Sequence, residues 1–225
     1  MAVFVELVAA PSRFSDRLWA SCAVQMLASG AVLALTPALV TAFDDVLQVA
    51  VAALVAINAL TSLWSRDVRG SRTLYVSAMR AALGFSGGLL VFTVLFVLFG
   101  APLASSFGRT LGLAAVAAAL TTLPAAAMLG RGGARAAAGG DGDQVWVRVF
   151  ANAQPRDAKE RWLFYTASLS LLGAWLGAFT LPLDWDREWQ FWPLPCLVGA
   201  LLGHVIGAVL VLLPPLVLPA PRRAR

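Results

Sequence analysis

The sequence predicts an all-α membrane protein, a polytopic bundle of six transmembrane helices with both termini cytosolic. Three observations carry that expectation. Hydrophobic residues make up 60% of the 225 residues and charged residues only 13%, against roughly 45–50% and 25% in soluble domains. A single core of this size could not hide so much apolar surface from water, so the solvent must be lipid. The charges are confined to gaps between six long charge-free runs. With six crossings, fifteen of the seventeen basic residues fall on one face of the membrane.

A spanning helix needs about 20 mainly apolar residues, because the hydrocarbon core is roughly 30 Å thick and each residue rises about 1.5 Å. The chain opens on residues 1–10, which are apolar but short, carry Glu6 and lack a basic leader. A disordered or interfacial tail is expected there rather than a signal peptide. Spans are then expected at about 18–40, 46–65, 81–103, 110–130, 162–183 and 190–213, within one transmembrane domain of residues 1–225. Residues 131–145 form a Gly/Ala run that cannot bury a core, and a flexible cytosolic linker is expected. The segment from Val145 to Phe150 mixes aromatic, β-branched and basic residues and suits the cytosolic interface. Arg156, Asp157, Lys159, Glu160 and Arg161 then read as a solvated, charge-paired collar leading into the fifth span.

Orientation follows from the arginines, since basic residues stay on the cytosolic side. Only Arg109 and Arg187 lie opposite, where Asp44, Asp45, Asp184, Asp186 and Glu188 make the far face acidic. This asymmetry accounts for the net charge of +5. It implies anionic lipid headgroups as the counter-surface and no nucleic-acid partner.

Little in the spans could carry chemistry. Ionisable groups at membrane depth are functional candidates because burying them is costly, and His204 is the only one. A neutral imidazole hydrogen-bonded to a neighbouring helix is the expected reading, with a proton relay or headgroup ligand as the sharper alternative. No Ser/His/Asp set, paired intramembrane carboxylates, phosphate-cradling loop or Cys/His metal spacing can be assembled. The expectation is therefore no catalytic residue, no metal and no cofactor. Cys22 and Cys196 should sit near opposite ends of the bilayer and remain free thiols.

Small residues at four-residue spacing give the stronger signal, because helices associate in lipid through close contact. Gly173 and Gly177 form one such pair, Gly199, Gly203 and Gly207 a longer stripe, and Gly84 and Gly88 a third. They are expected to pack helices together, either within the chain or against another membrane protein. Between the fifth and sixth spans, Asp184, Trp185, Asp186, Arg187, Trp189, Gln190 and Trp192 form a dense acidic tryptophan loop. Tryptophan rings prefer the headgroup level, so the loop reads as an interface anchor or as a contact surface for a partner or lipid.

The run from Gly173 to Ala178, then Pro182 to Arg187, Trp189-Gln190, Trp192-Pro193 and Cys196, resembles the PIG-F family of glycosylphosphatidylinositol (GPI) anchor biosynthesis proteins. The resemblance continues upstream through Phe99 to Leu103, Thr121-Thr122 with Pro124, Leu129-Gly130 and Arg148 to Phe150. It covers roughly the second half of the chain, and the 131–143 stretch looks like an insertion. The resemblance implies a multi-pass protein of the endoplasmic reticulum membrane that is not itself an enzyme. It would bind and stabilise the catalytic subunit of a GPI ethanolamine phosphate transferase. That partner would carry an alkaline-phosphatase-like, metal-dependent lumenal domain that adds phosphoethanolamine to a GPI mannose, the third and in some complexes the second. The rival reading is a lipid-handling protein that itself holds the GPI or phosphatidylethanolamine headgroup.

Overall fold

A computed structural model describes residues 16–65, 71–102, 104–129, 145–183 and 185–212. The expected linker therefore lies outside the described residues except for Val145, as do the N-terminal tail, Asp184 and the C-terminal arginines. Among the described residues all regular secondary structure is helical: α1 (Asp16–Ala34), α2 (Thr36–Thr41), α3 (Phe43–Trp64), α4 (Ser71–Leu98), α5 (Phe107–Leu120), α6 (Thr122–Leu129), a π-helical turn (Val147–Ala151), α7 (Ala158–Ala178) and α8 (Leu194–Leu212). Five stretches are long and apolar enough to cross a membrane: α1, α3, α4 from Leu74, α5 and α6 taken together, and α8. Helix α7 has 21 residues, about 31 Å at 1.5 Å per residue. Its Trp, Tyr, Ser, Thr and Arg161 side chains keep it out of that set.

Two of the runs read as single spans are broken, each at a proline. A proline ring clashes with the carbonyl four residues earlier and offers no N–H to it. Pro124 stands four residues after Leu120, and α5 ends there. Thr121 Oγ1 then donates to the Ala117 carbonyl at 2.6 Å, and Thr122 Oγ1 to Ala118 at 3.2 Å. Pro37 acts on Leu33 in the same way, and the Thr36 hydroxyl donates to the Leu33 carbonyl. Helix α4 closes cleanly. Gly100, at φ +95°, lets its own N–H reach the Val97 carbonyl and the Ala101 N–H reach Phe96, both at 2.9 Å, the paired bonds of a Schellman stop.

The α5–α6 unit is the centre of the bundle, with 78% of its spanning window buried against 17% for α4. Its run from Ala114 to Ala119 is almost all alanine, so neighbours approach from every side, as an all-round apolar helix requires. Helix α4 packs along α5–α6, α3 on α5, α1 between α3 and α8, and α7 along α8. Buried apolar residues gather at opposite ends of the bundle. One cluster joins Cys22, Met128, Trp162 and Val211 near the arginine-bearing connections; the other joins Leu39, Phe43, Leu113 and Leu197 beneath the tryptophan loop. Cys22 and Cys196 fall in different clusters, and both are buried free thiols.

Candidate functional site

The tryptophan loop is built on Thr180, Gln190 and Trp192. The Gln190 side chain bends inward and donates from Nε2 to the Thr180 carbonyl at 2.7 Å and to that of Leu183. Trp192 Nε1 donates to Thr110 Oγ1 at 2.9 Å, and that hydroxyl donates to the Pro102 carbonyl at 3.2 Å. Gln190 and Trp192, expected as contact residues, thus tie the loop to the bundle. The outward-facing members are Trp185 and Trp189, edge to face at 5.9 Å, and the exposed Asp186, Arg187 and Glu188. Asp186 sits at φ 47°, a left-handed conformation that a short polar side chain tolerates.

Beside this loop lies a feature that sequence reading did not join. Arg109 forks onto Asp44 with bonds of 2.8 and 2.9 Å, and its guanidinium lies 5.3 Å from the Phe43 ring centroid and 5.6 Å from that of Phe191. Those rings meet edge to face at 5.1 Å. The only signal for this group was that Asp44 and Arg109 were both expected on the acidic face.

The five glycines of α7 and α8 all lie at the contact between these two helices. A Cβ on Gly173 would run into the Gly199 carbonyl, and one on Gly199 into the Gly173 carbonyl. On Gly177 it would meet Pro195, on Gly203 Leu169, and on Gly207 Tyr165, in each case at the backbone carbonyl. These helices pack backbone to backbone. Their outer side keeps a shallow apolar groove of about 550 Å³, flanked by Leu172, Leu176, Leu202 and Ile206. On the other side of α7 a second cleft of about 630 Å³ opens between Phe96 and Phe99 of the α4 end and Trp175 and Phe179 of α7, roofed by Pro182 and Trp192. Gly84 and Gly88 of α4 play the packing role against Thr122, Ala118 and Ala126 of α5–α6.

At the opposite end, the solvated collar expected at residues 156–161 needs correcting at Glu160, which is only 6% exposed. Arg148, twelve residues upstream, reaches it with two bonds of 2.8 and 2.7 Å, and the Arg156 N–H adds a third at 2.7 Å. Burial pushes the Glu160 carboxyl up, but Arg148 and the backbone N–H groups outweigh it and hold the carboxyl below its ordinary value. The same pairing raises Arg148. Most of the Val145–Phe150 segment thereby lies in the π-helical turn Val147–Ala151, with Val149 fully buried.

His204 is buried and stands edge-on to Trp162 at 6.0 Å between centroids. The hydrogen bond expected for its ring is not there, for neither nitrogen has a protein partner. Gln25 was not singled out at all. It accepts from Trp162 Nε1 at 3.2 Å and donates to Thr61 Oγ1 at 2.7 Å. The signal lay in Ser21, Gln25 and Ser29, which share one face of an otherwise apolar helix at four-residue spacing. Among the described residues no group of three His, Cys, Asp or Glu side chains converges to hold a metal ion.

Comparison with known proteins matches residues 5–212 to the model of the GPI biosynthesis protein family Pig-F. The mouse (Mus musculus) protein named "GPI ethanolamine phosphate transferase, stabilizing subunit" is 36% identical over 133 residues, 59% of this chain and 56% of its own. The human (Homo sapiens) protein of that name is 39% identical over 119 residues, 53% of this chain and 50% of its own. "Glycosylphosphatidylinositol anchor biosynthesis protein 11" of Aspergillus fumigatus is 40% identical over 119 residues, 53% of this chain and 35% of its own. The chain spans about half the length of the mouse and human relatives. No solved structure matches. The family match reaches from before α1 to the end of α8 and takes in both glycine-packed helices and the tryptophan loop, and the chain belongs to the GPI biosynthesis protein family Pig-F.

Proposed function

We propose that the chain is a non-catalytic subunit that binds and stabilises the catalytic subunit of a GPI ethanolamine phosphate transferase. The complex would add phosphoethanolamine to the third, and in some assemblies the second, GPI mannose. The single observation that carries this reading is the identity shared with the mouse and human proteins named as that enzyme's stabilising subunit. Residence in the endoplasmic reticulum membrane follows from the pathway. There the arginine-bearing end faces the cytosol and the tryptophan loop the lumen, with α1, α3, α4, α5–α6, α7 and α8 as the six spans.

In this reading the glycines fuse α7 and α8 into one rigid pair, and the partner's transmembrane helix seats against the pair's outer groove beside Leu202 and Ile206. Trp185, Asp186, Arg187 and Trp189 brace the partner's lumenal domain near the bilayer surface. Affinity purification of the tagged chain in mild detergent, with mass spectrometry and a transfer assay on the eluate, tests it. Recovery of a large phosphatase-like membrane protein whose activity is lost on separation supports the reading; the chain alone, monodisperse and without transfer activity, overturns it.

A second reading has one observation in its favour, the aromatic cleft roofed by Pro182 and Trp192. A lipid tail in that cleft would bring its headgroup to the loop, where Arg187 meets phosphate and Asp186 the ammonium. Transfer activity that survives Asp186→Ala together with Arg187→Ala argues against it.

A further inference from the structure

The interior of the bundle carries a polar seam that packing alone does not satisfy. Among the described residues, six buried side-chain atoms have no hydrogen-bond partner in the protein: the hydroxyls of Ser21, Ser29 and Ser170, Asn58 Oδ1, and both ring nitrogens of His204. All five residues are 1% exposed or less. They come from four helices, α1, α3, α7 and α8, that meet around Gln25.

The contacts already described bring these groups together. Ser21 and Ser29 lie one turn to either side of Gln25. Gln25 Nε2 reaches Thr61 on α3, three residues beyond Asn58, and its Oε1 receives the Trp162 N–H from α7. The Trp162 ring abuts His204. The α7 chain passes α8 closely at this level, for a Cβ on Gly203, the neighbour of His204, would stand 3.0 Å from the Ser170 backbone nitrogen. Asn58 spends its own N–H on the Leu54 carbonyl at 2.8 Å, which leaves its oxygen bare.

Left dry, six such atoms would together forfeit an amount comparable to the whole stability of an ordinary domain. Buried polar atoms that find no protein partner are normally met by ordered water. We propose that this seam is a water-binding site, in which a few bound water molecules bridge Ser21, Ser29, Asn58, Ser170 and His204 and join α1 to α3, α7 and α8. The groups are all neutral donors and acceptors, which suits water rather than an ion. They are spread over two helical turns rather than aimed at one point, which suits several small molecules each making two to four bonds. The seam makes α1 a helix seated on hydrogen bonds relayed by water, where Leu or Ala on the same face would have seated it dry.

The two possibilities give opposite signs for one substitution. In a dry seam, Ser→Ala removes an unsatisfied hydroxyl and stabilises; in a hydrated one it removes a bond and strands the water. Ser21→Ala, Ser29→Ala and Ser170→Ala in the full chain, held in phosphatidylcholine nanodiscs, are each expected to melt roughly 2–4 °C below an exposed Ser86→Ala control, which corrects for helix propensity. Midpoints equal to or above the control overturn the proposal. The second measurement is a density map from crystals grown in a lipidic mesophase, sharp enough to show surface water. Density bridging His204 to Ser170 or Ser29 is expected, and an empty seam overturns the proposal even if a variant fails to fold.

Discussion

Single residues carry unequal weight in this molecule, and burial decides which matter. Gly203 and Gly87 are both helical glycines. A Cβ on Gly203 meets the Leu169 backbone, whereas one on Gly87 meets nothing within 4 Å. Gly203→Leu should therefore part α7 from α8 and abolish the monodisperse peak in size-exclusion chromatography, while Gly87→Leu should elute as the parent does. The two ion pairs contrast in the same way. Asp44 and Arg109 are 59% and 35% exposed, where a pair contributes roughly 0.2–1 kcal/mol. The side chains of Arg148 and Glu160 are 17% and 8% exposed, and removing one partner of a buried pair costs about 3–5 kcal/mol. Arg148→Ala should lower the melting midpoint several times further than Asp44→Asn. The Glu160 carboxyl is held below its ordinary value of 4.5, so the unfolded chain takes up its proton first as pH falls. The stability Glu160 contributes is complete above that value and is lost as pH drops through the lowered folded value. A midpoint followed from pH 7 downward should fall there in the parent, and Glu160→Gln should flatten that part of the decline.

Elements show what proline and alanine impose on membrane helices. Pro37 and Pro124 break runs that hydropathy alone reads as continuous, and in each case a threonine hydroxyl bonds a carbonyl beside the break. Polar side chains commonly satisfy such groups when a membrane helix is interrupted. In the proposed function the α7–α8 pair is the element that meets the catalytic partner. Its glycines are spent on the contact between the two helices, so in that proposal a partner meets the outer side chains. Leu202→Trp with Ile206→Trp should leave the chain monodisperse and cut co-purification of the catalytic partner. Unchanged recovery of the partner would place its seat on another face, with α4, the least covered helix, next in line.

The whole molecule is a bundle with chemically distinct ends. The arginine end is closed by the Arg148–Glu160 clamp and a cluster around Trp162; the other carries the tryptophan loop and the Arg109–Asp44 pair set between Phe43 and Phe191. The proposed topology puts these ends on opposite sides of the membrane. With Asn152→Cys and Asp186→Cys made one at a time, a membrane-impermeant maleimide should reach Asn152→Cys once the plasma membrane alone is opened. It should reach Asp186→Cys only after the internal membrane is opened as well. Labelling of both at the first step would put the two sites on the same side of the membrane, with an even number of crossings between them, and would remove α7 from the spans.

The sequence by itself determined the solvent, the helical class, the approximate helix positions and the family resemblance. Each depends on composition or on order along one dimension: apolar runs of spanning length, charges in the gaps, and the residues of the tryptophan loop. Tertiary structure alone decided which faces meet. Nothing along the chain joins Gln25 to Trp162, which lie 137 positions apart, or Asp44 to Arg109, 65 apart. The rotation of each helix about its axis is free until packing fixes it, because lipid is as apolar as the side chains and hydropathy does not mark an inner face. For that reason the glycines, read first as internal packing, left a docking stripe open as the alternative, and Glu160 read as solvated. Close approach of the α7 and α8 backbones, and the turn that carries Arg148 back over the bundle, settled where those residues point.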